Sequence, residues 1–144
     1  MKHLFISLLL LISMTVSAFS KDEPIPSSAI RSFQKEFSDA KDVKWSEASE
    51  LFKVDFFLNN QFVNAYYNNS GNLVALTKNI LSTQLPLILE KSLKEKYDDY
   101  WITDLLEVYK DGEVYYYVAL DNPDTKLYLR SSTNSWELSR KDSK

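Results

Sequence analysis

Carboxylate side chains are the main candidates for acid–base chemistry in this chain. The sequence contains no cysteine and one histidine, His3, near its beginning. The chain therefore has almost none of the side chains needed for thiol nucleophiles, imidazole catalysis, or zinc and iron sites with thiolate or imidazole ligands. Two acids facing each other across a cleft could instead hydrolyse a glycosidic bond. The candidate acids are Asp98, Asp99, Asp104, Glu107, Asp121 and Asp124.

The spacing of these acids does not bring any two of them together across a cleft. Asp98 and Asp99 follow a predicted helix, and Asp121 and Asp124 flank Pro123 in a predicted turn, where aspartate commonly bonds to nearby backbone. A carboxylate hydrolase is therefore the weakest of three function hypotheses. The sequence predicts a protein that is not an enzyme, with no catalytic residues, no cofactor and no metal site.

Tyrosines and charged residues on the predicted strands are the second candidate set. Successive side chains of a strand face opposite sides of the sheet, so Tyr115 and Tyr117 lie on the open side if Val114 packs under a helix. The candidate binding residues are Lys53, Asp55, Phe57, Tyr115, Tyr117, Tyr128 and Arg130. Tyrosine and arginine are frequent in binding hot spots, but tyrosine also suits exposed strands without any binding role. Both interpretations stay open.

The elements that position these residues are read from hydrophobic periodicity and turn residues. Helices are predicted over Pro26–Phe37 and Pro86–Tyr97, each opened by a proline. Strands are predicted over Val43–Ala48, Leu51–Leu58, Gln61–Tyr67, Leu73–Lys78, Ile102–Lys110, Glu113–Leu120, Lys126–Arg130 and Trp136–Arg140.

The order of these elements predicts an α+β fold. A helix plus a four-stranded antiparallel unit occurs twice, over residues 21–83 and 84–144, as a tandem duplication. The two repeats are expected to share one continuous antiparallel sheet with both helices on one face. The strand residues expected under the helices are Phe52, Val54, Phe56, Val114, Tyr116, Val118 and Leu120.

The first twenty residues are typical of a signal peptide. A short basic start precedes an apolar stretch over Leu4–Val16, and small residues allow cleavage after Ala18 or Ser20. The stretch is shorter than the span of a bilayer. The sequence thus predicts a periplasmic or secreted protein that does not stay with the membrane after cleavage.

The charge pattern argues against nucleic acid as a partner. The formal net charge is −3, from 17 basic and 20 acidic residues that are mixed along the chain. Nucleic-acid binding normally requires a concentrated basic surface. A protein partner in the cell envelope is expected instead.

Several motifs carry a family resemblance. They are the helix residues Phe33 and Phe37, the segments 42–45, 52–56, 68–73 and 84–86, Tyr97, and the hairpin 111–116. With these motifs the chain resembles the PepSY-like family, which has the fold of the β-lactamase inhibitor protein (BLIP). The resemblance implies a small exported protein of Bacteroidetes-type bacteria. It also implies binding through the open sheet face, since the inhibitor grips its target enzyme there and related protease propeptides are regarded as inhibitory.

Two function hypotheses therefore lead. The first is an exported, non-catalytic binding module, such as an inhibitor of a protease or another exported enzyme, acting through the open sheet face. The alternative is a small-ligand or glycan-binding protein whose open-face tyrosines stack on sugar rings.

Overall fold

A computed structural model describes residues 24–144 of the chain. The helices are α1 (Ser27–Glu36) and α2 (Leu87–Lys96), and a short 3-10 helix covers Ser82–Gln84. The strands are β1 (Lys41–Ala48), β2 (Leu51–Leu58), β3 (Gln61–Tyr67), β4 (Leu73–Asn79), β5 (Trp101–Lys110), β6 (Glu113–Asp121), β7 (Thr125–Ser131) and β8 (Trp136–Ser143). The predicted signal peptide, residues 1–20, lies outside the described residues.

All eight strands form one antiparallel sheet in sequence order, β1 to β8. The ladder continues through the middle of the chain, because β4 pairs directly with β5 from Ala75↔Lys110 to Asn79↔Leu106. Strands hold 53% of the described residues and helices 19%. The predicted fold class is therefore wrong in its main point. The chain is not an α+β pair of duplicated helix-plus-four-strand units but a single eight-stranded sheet with two short helices, and the rest of that prediction is matched only in part.

Each helix packs on the sheet through a few apolar side chains. In α1, Phe33 contacts the ring of Phe56 at a centroid distance of 5.0 Å, and Ala29 joins the same cluster. In α2, Leu93 packs with Leu105 and Val118. Burying one such side chain contributes about 1.5–3 kcal/mol, so these clusters hold the short helices to the sheet.

The register of the ladders separates two faces of the sheet. Val54 lies under α1, and the residues directly opposite one another on the next strands, Ala65, Leu76 and Tyr109, share its face. The same face continues to β6, where Val118 packs under α2. The side chains between these positions point the other way. We call this opposite side the helix-free face, meaning that neither helix of residues 24–144 packs on it. Its residues include Lys53, Asn64, Thr77, Val108, Tyr115, Ala119, Tyr128, Arg130 and Arg140.

Two glycines in turns between strands have the same backbone conformation but different surroundings. Gly71 (φ 81°) and Gly112 (φ 78°) both adopt the left-handed region that glycine tolerates best. A Cβ on Gly71 would lie 2.6 Å from the carbonyl carbon of Ser28, at the start of α1, whereas a Cβ on Gly112 would meet nothing within 4 Å. The β3–β4 turn is therefore pressed against α1, and the β5–β6 turn stands free.

Two predicted environments are wrong. Val114 was expected under a helix, yet its side chain is 50% exposed. Tyr117 was expected to be open to solvent, yet it is only 7% exposed. Within residues 24–144, no helix combines the length and hydropathy needed to cross a membrane.

Candidate binding face of the sheet

The helix-free face carries all seven predicted binding residues, but it divides them into two groups. Lys53, Asp55 and Phe57 lie on β2, where they oppose Tyr66, Asn64 and Phe62 of β3. The other four lie on β6 and β7, where Tyr117 opposes Arg130 and Tyr128 opposes Ala119. Neighbouring strands are about 4.8 Å apart, so the four intervals from β2 to β6 separate the groups by about 19 Å.

The β2 group belongs to a chain of polar contacts that ends inside the sheet. Lys53 Nζ lies 2.8 Å from Asp55 Oδ1, and Asn64 Nδ2 donates to the same oxygen at 2.9 Å. Thr77 Oγ1 donates to Asn64 Oδ1 at 3.4 Å, and both Asn64 and Thr77 are buried. These polar groups therefore satisfy one another's hydrogen bonds.

The β6–β7 group carries arginine side chains stacked on tyrosine rings. The guanidinium carbon of Arg130 lies 4.3 Å from the ring centroid of Tyr115. That of Arg140 lies 3.9 Å from the ring of Tyr128, which Lys126 also approaches at 5.4 Å. Arg140 Nη2 also forms an ion pair with Asp142 at 3.0 Å. This half of the face thus presents cations that are held in place by aromatic rings.

Sequence reasoning missed Arg140 because of a β-bulge. Strict alternation from Trp136, which packs in the α2 cluster, would place Arg140 on the helix side. The register shifts between Tyr128 and Leu129, so that Leu138 opposes Leu129 while Arg140 opposes Tyr128. The extra residue, Ser139, reverses the alternation, and no local signal in the sequence marks it.

The centre of the helix-free face is buried. Val108 is fully buried, and Tyr66 and Tyr117 are 4% and 7% exposed. Burial raises the pKa of Tyr66 to about 12, and the nearby charge of Asp55 adds to the rise. Burial also raises the pKa of Tyr117. These phenols are therefore neutral at physiological pH and cannot serve as phenolate bases.

Tyr115 is fixed at the edge of this region by its hydroxyl. It donates to Glu113 Oε2 at 2.6 Å, and this hydrogen bond, more than burial, raises the pKa of Tyr115. The ring therefore lies between Arg130 above its face and Glu113 at its hydroxyl. Such a fixed, neutral ring can make contacts with a bound molecule.

Three of the candidate acids contact groups other than carboxylates. Glu107 pairs with Lys78 at 3.0 Å, Asp104 accepts from Asn79 at 3.0 Å, and Asp121 pairs with Lys144. In the part of the chain that the structure describes, no three His, Cys, Asp or Glu residues are grouped so that they could hold a metal ion. Glu107, Asp104 and Asp121 are thus each engaged by a lysine or an asparagine.

Comparison with known proteins finds likeness in structure alone. No family model matches the chain, and no curated protein matches it. A DUF2874 family protein from Bacteroides uniformis superimposes with a TM-score of 0.74 at 14% identity, over 83% of this chain and 90% of that chain. A Bacteroides eggerthii protein, provisionally described as periplasmic, gives 0.74 at 13% identity, over 84% and 90%.

A BLIP-like protein from Bacteroides fragilis gives a TM-score of 0.70 at 16% identity, over 85% of this chain and 89% of that chain. At such low identity these likenesses show the fold alone. The BLIP-like fold expected from the sequence resemblance is confirmed, whereas the PepSY-like name is not.

Proposed function

We propose that this chain is an exported, non-catalytic binding module that recognises a protein of the cell envelope through the C-terminal half of its helix-free face. The observation that carries the proposal is the pair of stacks, Arg130 on Tyr115 and Arg140 on Tyr128. Tyrosine and arginine dominate the energetics of protein interfaces. A guanidinium that is already stacked loses less side-chain freedom when a partner binds.

The two edges of the sheet support recognition by the face rather than by strand addition. On β1, the ladder is irregular between Lys41 and Lys44, and Asp42 has a positive φ of 53°. On β8, the bulge at Ser139 also makes the edge irregular, and charged residues lie around it. Bulges and charges of this kind discourage another strand from pairing with a sheet edge.

Export is proposed from the predicted signal peptide and agrees with the provisional periplasmic description of the B. eggerthii protein. Cleavage after Ala18 or Ser20 gives a mature N-terminus at Phe19 or Lys21. Mass spectrometry of the protein recovered from the cell envelope tests this, and retention of Met1 would contradict it. Inhibition of an envelope enzyme is the specific form of binding that the BLIP-like fold suggests.

Glycan binding by the open-face tyrosines is the alternative, and the contacts favour it less. Stacking on a sugar requires a free ring face, whereas Arg130 and Arg140 already occupy a face of Tyr115 and Tyr128. Tyr117 is buried. A protein surface with its own charges can engage the outward edges of these stacked arginines without displacing them.

The test is capture from a cell-envelope extract by immobilised mature protein. The double variant Tyr128→Ala/Arg140→Ala removes one stack, and Tyr109→Ala is the matched control, an exposed tyrosine on the helix side of β5. Loss of a hot spot costs about 2 kcal/mol or more, so we expect the double variant to bind the captured protein about thirtyfold more weakly. The control should bind like the wild type.

Circular dichroism establishes that both variants are folded. Equal binding by wild type and double variant would contradict the proposal. So would a glycan array in which the mature protein binds sugars and loses them with the same double variant.

A further inference from the structure

Exposed apolar side chains surround α2 on the helix side of the sheet. Leu87 and Ile88, in the first turn of α2, are 79% and 52% exposed. Leu81, in the segment that leads into the helix, is also mostly exposed. Val114 on β6 and Leu138 on β8 face the same side of the sheet, and each is at least half exposed. We call these five side chains the α2 patch.

The members of the α2 patch lie close to one helix. Val114 lines a cleft together with Pro86 and Leu89, at the start of α2. On the β8 side, Leu138 opposes Leu129, which belongs to the core cluster under the same helix. The 3-10 helix that precedes α2 contacts it as well. The patch is therefore made by α2 and the elements directly beside it.

The first turns of the two helices differ in chemistry. That of α1 begins with Ser27 and Ser28, directly after a proline. That of α2 begins with Leu87 and Ile88, also directly after a proline. Ser28 Oγ donates to the backbone carbonyl oxygen of Asn69 at 3.4 Å, so this end of α1 contacts a turn of its own chain. The leucine and isoleucine of α2 instead leave apolar surface in water, which association would remove.

The α2 patch has the size that a dimer needs. Five aliphatic side chains, each at least half exposed, present on the order of 500 Å² of apolar surface. Two such patches in contact bury about 1,000 Å², which is where specific protein interfaces begin. The aliphatic stems of Lys91 and Lys94, on the exposed side of α2, add to this area.

The charges beside the patch do not oppose self-association. Lys94 Nζ lies 2.7 Å from Glu90 Oε1, and Lys91 Nζ lies 3.6 Å from Glu95 Oε1. The helix thus presents paired charges of both signs rather than a field of one sign. A two-fold axis brings a surface against the same surface of a second copy. An apolar patch with balanced charges beside it is complementary to itself in this way.

We propose that the chain forms a two-fold symmetric homodimer through the α2 patch, with the first turns of the two α2 helices at its centre. The helix-free face stays open in this dimer, because α2 packs on the opposite side of the sheet. The inference therefore goes beyond the proposed function and does not depend on it.

Sedimentation equilibrium of the mature protein tests the association. We expect a monomer–dimer equilibrium with a dissociation constant in the micromolar range. Leu87→Ser/Ile88→Ser gives α2 the residues of α1 and should weaken the dimer at least about a hundredfold, because it removes apolar side chains from both copies. Val43→Ser/Phe62→Ser is the matched control. It removes two exposed apolar side chains of the first half and should leave the dimer unchanged, with circular dichroism showing that both variants are folded.

A proximity label identifies the face that pairs. The sequence has no cysteine, so one introduced cysteine can carry a single pyrene group. With Lys91→Cys, one turn beyond Leu87 on the exposed side of α2, the two labels of a dimer should lie close enough to give excimer fluorescence. With Lys44→Cys, an exposed position on β1, they should not.

Three results would overturn the inference. They are a mature protein that stays monomeric up to about 1 mM, a dimer that Leu87→Ser/Ile88→Ser leaves intact, and excimer fluorescence from the β1 label without any from the α2 label. A monomer that sediments with phosphatidylethanolamine–phosphatidylglycerol vesicles, and loses them with the double serine variant, would assign the patch to a membrane surface instead. The proposed function is tested at Tyr128 and Arg140, on the other face of the sheet, so each proposal can fail alone.

Discussion

The N-terminal and C-terminal halves of the sheet have the same order of strands but use their polar and aromatic residues differently. In the first half, Lys53, Asp55 and Asn64 bond to one another, and the β2–β3 ladder is closed by Phe52 and Tyr67. In the second half, arginines lie on tyrosine rings at the surface, and the β6–β7 ladder opens into a cleft. Polar side chains of the first half thus bond to one another, whereas the cations of the second half lie on aromatic rings.

This contrast teaches that strand order alone does not make a binding surface. The β2–β3 ladder has seven residue pairs, whereas the β6–β7 ladder has five. The rings of Phe52 and Tyr67 end the first ladder and are buried, whereas the second ladder stops at Tyr117↔Arg130 and the next backbone N–H, that of Tyr116, donates to the side chain of Ser131. Four predictions, in order of decreasing effect on stability, test the contrast.

The largest effect is expected in the core of the first half. Phe56 is fully buried, with the rings of Phe33 and Phe37 each 5.0 Å away. Phe56→Ala should cost about 3–5 kcal/mol of unfolding free energy through lost burial and a cavity. Phe57→Ala, its neighbour on the helix-free face, should cost about 1 kcal/mol or less. Urea unfolding measures both, and equal costs would mean that the two faces are assigned wrongly.

Replacing each of the two glycines by alanine should give the next largest loss of unfolding free energy. Gly112→Ala should cost about 1–2 kcal/mol, because only the left-handed conformation opposes the new Cβ. At Gly71 the new Cβ also meets the backbone of Ser28, which should add about 1–3 kcal/mol of overpacking. Thermal unfolding of the two variants compares the turns, and a smaller loss at Gly71 would show that the β3–β4 turn is not pressed on α1.

Alkaline pH should weaken the first half of the helix-free face. The pKa of Tyr66 is raised from 10.0 to about 12 in the folded protein, so the unfolded chain loses this proton first. The contribution of protonated Tyr66 to the free energy of unfolding is fully present below pH about 10 and is lost as pH rises to about 12. Two pKa units correspond to about 3 kcal/mol. Urea titrations across this range should show the loss, and Tyr66→Phe should reduce it; an unchanged loss would contradict the assignment.

The smallest effect on stability is expected at the stacks of the second half. An exposed cation–π pair contributes about 0.5–1 kcal/mol, so Tyr128→Ala/Arg140→Ala should lower the unfolding free energy by about 1 kcal/mol. The same variant should lose most of its binding to the captured protein. A stability loss as large as that of Phe56→Ala would mean that these side chains hold the fold together rather than serve a partner.

Most element boundaries could be predicted from the sequence. Apolar periodicity and turn residues placed both helices within one residue of their observed ends, and strands such as Leu51–Leu58 and Gln61–Tyr67 were predicted without error. These signals are local, because a turn residue or a stretch of β-branched residues acts on its own neighbours. The fold class was the error, since the described residues form one strand-dominated eight-stranded sheet with only two α-helices, which matches the duplicated helix-plus-four-strand units only in part.

The sequence by itself determined which side of a regular strand each residue faces, because alternation is a property of the extended backbone. It thereby placed the seven candidate residues on the helix-free face, and whether they bind a partner is for the capture experiment to decide. Only the tertiary structure decided that Tyr117 is buried, that Val114 is exposed and that Arg140 stacks on Tyr128. Burial depends on the neighbouring strands, and a bulge or an opened ladder depends on how two strands end together. Neither is encoded in the periodicity of one strand.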